Sequence, residues 1–350
     1  MSNPAITQGK KPTVNDIARV AGVSLATVDR VLNDRPGVRA VTIEKVNKAV
    51  AELGFVRDPA AVNLARRRFF QLQFLLPRTD NEFVVALKDK IAQQSGTLVH
   101  QRVSLDTALV PPLDPEAIVA ALDRLDPAKT DGVAVFGPET PSVRDAIGRT
   151  RARGIAVVAL VSDHPSSDRD RFVGIDNVAA GRTAAQLMGR FIHGPGQILV
   201  ITGSRLARDH IERRSGFDAV MATDFSHLEV LASVEGRDDP AVILGILPDI
   251  FRSYPGIRGI YSSAAGNPGL IRYLEQTGRT DVTVVAHELT PSSRAALNSG
   301  IFDAIISQDT GHLVRSATRV LMASADRSPL DDTQERIRID IYLRDNMPKD

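Results

Sequence analysis

The sequence contains no cysteine and no tryptophan. Lack of cysteine excludes disulfides, thiol catalysis and thiolate metal sites together, which fits a reducing compartment without requiring one. Aromatic residues make up only 5% of the chain, so any stacking platform for a ligand must come from a few phenylalanines and tyrosines. Long apolar runs are missing too: the longest, around Ile155 to Val161, is strand-sized, against the roughly 18 residues that a membrane helix needs. Residues 1–11 hold two lysines with no apolar stretch behind them, which reads as a disordered arm rather than a secretory signal. No P-loop, GxGxxG, GxSxG or paired-histidine metal spacing occurs; in the run HELTP from His287, Pro291 stands where HExxH needs its second histidine. The expectation is a protein without cofactor or metal, and not an enzyme.

What is present is ordinary globular composition, 43% hydrophobic and 24% charged, over 350 residues, enough for two or three units with their own cores. The net charge of +1 conceals a division. Residues 1–68 carry 12 Lys+Arg against 6 Asp+Glu, whereas the remainder carries 31 against 36. A basic head on a mildly acidic body points to a polyanionic partner for the head alone.

Within that head, Thr13 is placed to cap a helix whose apolar positions Val14, Ile17, Ala18 and Ala21 recur at i, i+3, i+4 and i+7. Gly22 ends it. Ser24 opens a second short helix with Leu25, Val28, Val31 and Leu32 as the inward stripe, while Ala26, Asp29, Arg30 and Asn33 form a polar face with Thr27 at its edge. A third helix turns Val46, Val50 and Leu53 inward and stops at Gly54. Helix, glycine turn and a second helix with a polar outer face is the arrangement that sets side chains against base edges in the major groove. Arg30 is the candidate for a bidentate guanine contact; Asn33 reads adenine or a phosphate, Thr27 touches a thymine methyl or a phosphate, and Asn15 with Thr13 fixes the DNA backbone.

The run Thr13 to Phe55, TVNDIARVAGVSLATVDRVLNDRPGVRAVTIEKVNKAVAELGF, closely resembles the DNA-binding head of the LacI/GalR repressor family, including its VS-x-ATV-x-RVLN core. The resemblance implies a homodimer reading a pseudo-palindromic DNA operator, with Ser24, Leu25 and Ala26 joining the residues above at the DNA. Three departures stand out. Asp29 replaces the usual serine, Arg39 stands where a capping serine is common, and the aromatic-x-Pro-Asn approach to the hinge reads Phe55, Val56, Arg57, Asp58. Asp58 then Pro59 can start one short hinge helix, Pro59 to Ala65, too short to persist alone. The resemblance assigns Asn63 and Leu64 to DNA, Leu64 as a wedge in a minor-groove step. Arg66, Arg67 and Arg68 suit phosphates.

From Phe69 onward short apolar runs alternate with amphipathic segments, as in QLQFLLP then EFVVALKDKIAQQ and GVAVFG then TPSVRDAIGRTRARG. That rhythm predicts parallel sheets covered on both faces, with ligands bound beyond the carboxyl ends of the strands. The body, including VGIDNVAAGRTAAQLMGRF, resembles the type I periplasmic sugar-binding proteins over nearly its whole length. The expected fold class is therefore α/β: a small all-α helix-turn-helix domain followed by a two-lobed, doubly wound parallel-sheet domain of periplasmic-binding-protein type. The domains are read as an arm at 1–11, a head at 12–57, a hinge at 58–68 and an effector-binding and dimerisation domain at 69–350. Its N-lobe spans about 69–174 and 309–330, its C-lobe about 175–308 and 331–345.

By the resemblance, Arg213 grips a ligand hydroxyl or carboxylate, Glu288 is the acidic residue after the strand ending VVAH, and Gln308 is a polar cleft residue at a crossing. Asn81, Phe83, Glu139, Asp163, Arg169 and Asn267 are further candidates for the effector, and Phe83, Phe136, Phe172 and Phe217 are the candidate aromatic platforms. An Asn-Asp pair expected after Tyr261 is replaced by Ala264, Ala265, Gly266 and Asn267, so the pocket should differ from familiar sugar repressors. The reading that follows is a cytoplasmic, homodimeric repressor without cofactor, controlled by a small sugar or polyol. Its competitors are a solute-binding protein, a corepressor-dependent regulator sensing a nucleobase or other metabolite, and a sugar-modifying enzyme, which would need a pair of carboxylates flanking a bond. The alternating run ERIRIDIYL near the C-terminus, with no heptad tail, points away from a tetramer built on a coiled coil.

Overall fold

A computed structural model describes residues 12–32, 36–55 and 69–349. The arm at 1–11, Asn33, and the hinge with Asn63 and Leu64 lie outside the described residues. The chain divides into two compact units, 1–68 and 69–350.

The first unit consists of helices α1 (Val14–Ala21), α2 (Leu25–Leu32) and α3 (Ala40–Leu53) around Ile17, Val28, Val31, Val46 and Ala49. Thr13 is the residue before α1, but its hydroxyl donates to Asp16: that carboxylate takes both Thr13 N (2.9 Å) and Thr13 Oγ1 (2.7 Å), which holds its pKa below the usual range. Gly22 closes α1 in the left-handed region at φ 65°, a conformation that suits glycine and sets the turn into α2. Ser24 caps α2 by accepting from Thr27 N. Arg39 precedes α3 without a side-chain cap, and Gly54 ends that helix with φ 60°. Two residues expected in the inward stripes point out instead: Val14 is 41% exposed and Leu25 50%. Both sit in the first turn of an eight-residue helix, which begins before the core does.

The second unit holds two sheets. Strands β1 (Phe70–Pro77), β2 (Val103–Val110), β3 (Gly132–Val135), β4 (Ala156–Leu160) and β5 (Arg171–Val173) form the first, in the order β2-β1-β3-β4-β5, all parallel. Every residue of β3 and β4 is buried, the mark of central parallel strands covered on both faces. The covering helices are α4 (Glu82–Leu98), α5 (Pro115–Asp123) and α6 (Pro141–Ala152), each entered through a side-chain cap, from Asn81, Asp114 and Thr140.

After β5 the chain passes to α7 (Asn177–Phe191) and into the second sheet, built by β6 (Gly196–Thr202), β7 (Leu228–Val230), β8 (Val234–Glu235), β9 (Ile257–Ser262), β10 (Thr283–His287), β11 (Ala304–Ser307) and β12 (Asp340–Tyr342). Its order is β12-β11-β10-β9-β6-β7, with β8 also on β6, and only β12 is antiparallel. Between them run α8 (Arg208–Asp224), α9 (Pro240–Ser253), α10 (Asn267–Thr277) and α11 (Pro291–Ser299). From β11 the chain returns to the first sheet as α12 (Thr310–Asp326), packed on α4, β3 and β4, before β12 rejoins the second. The two sheets share one apolar cluster, with Phe74 and Leu76 of β1 in the same core as Ile198 and Val200 of β6. Among the described residues no helix is long and apolar enough to cross a membrane.

Candidate functional site

On the head, the exposed face of α2 presents Leu25, Ala26, Asp29 and Arg30, with Thr27 half-buried beside them. Thr27 Oγ1 and Ser24 Oγ hydrogen bond to each other at 2.9 Å, so the cap also fixes the edge of that face. Asn15 is exposed on α1, next to the half-buried Thr13.

On the body, a cavity of about 310 Å³ opens between the carboxyl ends of the two sheets, the place where an α/β sheet leaves strand ends uncovered. Its volume is at the small end of ligand pockets. Backbone strain gathers here. Leu113, Val161, Arg237, Asp238 and Glu288 all have φ between 52° and 69° and all line the cavity, whereas Arg102 and Arg327, the other non-glycine residues of this kind among those described, lie elsewhere. A left-handed β-branched residue such as Val161 is rare, and strain of this sort persists where surrounding structure holds a site in shape.

Arg213 is the centre of the polar wall. It is 3% exposed, projects from α8, and is held on two sides: Nε donates to Asn177 Oδ1 and Nη1 to the Ser263 carbonyl, both at 2.9 Å. Its remaining nitrogen, Nη2, faces Glu288 Oε1 at 3.7 Å and Asp209 Oδ2 at 4.0 Å, both beyond hydrogen-bond length. Asp209 lies one turn earlier on the same face of α8, is 4% exposed, and its Oδ1 has no partner among the described residues. Gln308 steadies Glu288, donating from Nε2 to Oε1 at 2.9 Å. Burial raises the Glu288 pKa against the opposing pull of Arg213 and Gln308. Beneath, His287 Nε2 and Tyr261 hydroxyl are 2.9 Å apart, Tyr261 stacks on Phe217, and burial pushes the His287 pKa well down, keeping that ring neutral.

Two glycines set Arg213 in place. A Cβ on Gly181 of α7 would lie 1.9 Å from the Arg213 carbonyl oxygen, and one on Gly216 of α8 would lie 2.1 Å from the Val178 carbonyl. The helix backbones touch here, which only a residue without a side chain allows.

The sequence-predicted residues separate on this geometry. Arg213, Glu288, Phe83 and Asn81 line the cavity; Gln308 stands behind Glu288. Asn81 is also the cap of α4, accepting from Phe83 N. Asn267 lines an adjoining pocket that shares Asn81, Arg237, Asp238 and Glu288, but its amide is occupied by Ser262 Oγ and the His287 carbonyl. Three expected contacts are engaged elsewhere and do not line the cavity: Asp163 and Arg169 pair with each other, and Glu139 pairs with Arg208. Of the aromatic candidates, Phe83 and Phe136 reach the cavity; Phe217 is stacked in the core and Phe172 lies under Gly174. Residues that sequence reasoning missed are Asp209, His210, Arg237 and Asp238. A spacing of four residues before Arg213 on the same helix was the available signal for Asp209.

Residues 72–328 match the family described as a periplasmic binding protein domain, and residues 13–58 match bacterial regulatory proteins, lacI family. The ribose import binding protein RbsB of Escherichia coli (strain K12) is 24% identical over 231 residues, 65% of this chain and 76% of that protein. The HTH-type transcriptional regulator CelR of Thermobifida fusca is 26% identical over 305 residues, 80% of this chain and 82% of CelR. Among solved structures, GanP, a glucose-galactose binding protein from Geobacillus stearothermophilus, superposes with a TM-score of 0.72 at 18% identity, covering 81% of this chain and all of GanP (100%). The likeness to GanP bears on the fold.

Proposed function

The chain belongs to the lacI family of bacterial regulatory proteins, with a periplasmic binding protein domain as its body, and on that premise we propose that closure of the cleft on a small sugar sets how firmly the protein holds its operator. It is a DNA-binding transcription regulator, not an enzyme. In our reading it works in the cytoplasm as a homodimeric repressor, two heads on a pseudo-palindromic operator. Arg30 takes a guanine on each half-site, with Thr13, Asn15, Ser24, Leu25, Ala26, Thr27 and Asp29 at groove and backbone.

One observation carries the sensing half: a buried arginine pinned by Asn177 and Ser263 aims its third nitrogen between two carboxylates, one of which, Asp209, has an oxygen without a partner among the described residues. A buried acceptor without a donor costs free energy until something supplies one. Adjacent ligand hydroxyls suit the gap, each donating to a carboxylate while accepting from the guanidinium. A ligand bound to both lobes favours whichever lobe geometry fits it, and that preference is the only means by which it can alter DNA affinity.

The test is anisotropy of full-length protein on a labelled operator obtained by selection from random duplexes, with a panel of monosaccharides titrated in. We expect a sugar to weaken operator binding and to raise the melting temperature. Failure of every sugar to change either quantity, with a nucleobase doing so, would replace this reading.

A further inference from the structure

The cavity has two unlike walls, and the difference specifies the ligand more narrowly. The second-sheet side supplies Asp209, His210, Arg213, Arg237, Asp238 and Glu288. On the first-sheet side the wall is hydrocarbon, with Val110, Pro111, Leu113, Ile118, Phe136 and Val161 facing across. Its few polar side chains each accept one backbone N–H, Thr79 Oγ1 from Asn81, Asn81 Oδ1 from Phe83, and Ser162 Oγ from Asp209, so what they still offer a ligand is donors.

A fully hydroxylated sugar presents hydroxyls around its whole rim. Those pressed on Val110, Ile118 and Phe136 would leave water and find no replacement partner, while a methyl or methylene there would gain by burial. Ala264 and Ala265 extend the apolar lining onto the second-sheet side. The charged wall itself mixes carboxylates and guanidiniums in near balance, which suits neutral hydroxyl groups rather than a ligand of one strong charge.

We infer that the effector is a 6-deoxy sugar: a monosaccharide with adjacent hydroxyls toward Arg213, Asp209 and Glu288, and its C6 methyl group against the Val110, Ile118 and Phe136 surface. This rests on the reading of the cleft as a sugar-sensing site. One methyl in a hydrocarbon pocket discriminates between ligands about tenfold or more.

The experiment measures calorimetric Kd values of full-length protein for matched pairs differing only at C6: D-fucose with D-galactose, L-fucose with L-galactose, L-rhamnose with L-mannose, and 6-deoxy-D-glucose with D-glucose. In whichever pair binds, the deoxy member should bind at least tenfold more tightly. Val110→Thr, which adds a hydroxyl without adding volume, and Phe136→Tyr should each narrow that preference, and circular dichroism reports whether either variant is folded. Equal or tighter binding of the hydroxylated parent would overturn the deoxy assignment while leaving sugar sensing intact. Silence from all eight sugars, with operator binding preserved, would overturn the 6-deoxy assignment, while the sugar reading itself falls only if the wider monosaccharide panel is silent too.

Discussion

Arg208 Nη1 donates to Glu139 Oε2 at 2.8 Å, an ion pair that ties the start of α8, on the second sheet, to the loop after β3, on the first. The same guanidinium holds Glu212 through Nε at 2.7 Å, so the pair is braced from both sides. Across the cleft a second tie runs from Ser292 of α11 to Glu82 of α4. Glu139, expected at the ligand, is instead a fastener between lobes.

Because the Arg208 side chain is 36% exposed and water screens it, the tie is worth only a fraction of a buried ion pair, about 0.5–1 kcal/mol. Glu139→Gln keeps the shape and removes the charge. We expect effector Kd to rise two- to fivefold in calorimetry and the difference from the parent protein to shrink above ~0.5 M salt, where exposed pairs are screened. An unchanged Kd at low salt would mean that the tie does not favour the closed form.

Sensing and DNA reading should separate by mutation. Arg30→Ala removes a bidentate donor from an exposed face, so operator affinity should fall by about 1–3 kcal/mol with the melting temperature and effector Kd unmoved. Arg213→Ala should abolish the effector response. It also leaves Asp209 and Glu288 buried together without their cation, so a stability loss of about 3–5 kcal/mol is expected alongside. Arg213→Lys restores the charge but not the planar fork, and should recover much of the stability without the response. Operator binding below the melting temperature should survive both changes, as read by anisotropy. Parallel loss of the two activities in either position would contradict the division.

Much of this fold was legible from periodicity. The apolar run around Ile155 to Val161 became β4, buried throughout, and the short apolar run QLQFLLP became β1. Helix α9 was not read, because its stretch PAVILGILPDIFRS is densely apolar and carries Pro248 inside it, a residue that normally argues against a helix interior. At the site, Arg213 and Glu288 could be placed by resemblance, since each follows a local motif. Which charges face a ligand and which face one another is decided by distant loops. Glu139 with Arg208, sixty-nine positions apart, is a contact of that kind, whereas Asp163 and Arg169 pair within one loop, six positions apart. The five strained residues around the cavity left no sequence signal either, because four are types that usually avoid positive φ and none is glycine.

The close passage of α7 against α8 makes another prediction. Gly181→Ala forces a methyl to within 1.9 Å of the Arg213 carbonyl unless the helices part. Overpacking of this kind costs about 1–3 kcal/mol. Because the displaced backbone carries Arg213, effector Kd should rise by tenfold or more in calorimetry, beyond what an equally destabilising change far from α8 produces. Gly245→Ala on α9, where a Cβ would meet nothing within 4 Å, serves as the control and should leave both quantities near the parent values.

His164 supplies a pH signature. The ring is fully buried at 0% exposure in the loop after β4, both nitrogens lack partners among the described residues, and burial draws its pKa down to about 4 against the pull of Glu139 and Asp163. An unfolded chain takes up the proton near pH 6.5, whereas the folded chain does not until near pH 4, so between those values the unfolded state binds more protons and stability rises with pH. Acidification through that window should therefore cost up to about 3 kcal/mol from this ring, roughly 2 kcal/mol of it by pH 5. In His164→Leu the titrating group is gone. Urea unfolding of the body at pH 7 and pH 5 should show a smaller stability loss in the variant than in the parent, whatever the offset between them at pH 7. The same acid sensitivity in both proteins would mean that His164 is protonated in the folded state after all, with the neighbouring carboxylates overcoming its burial.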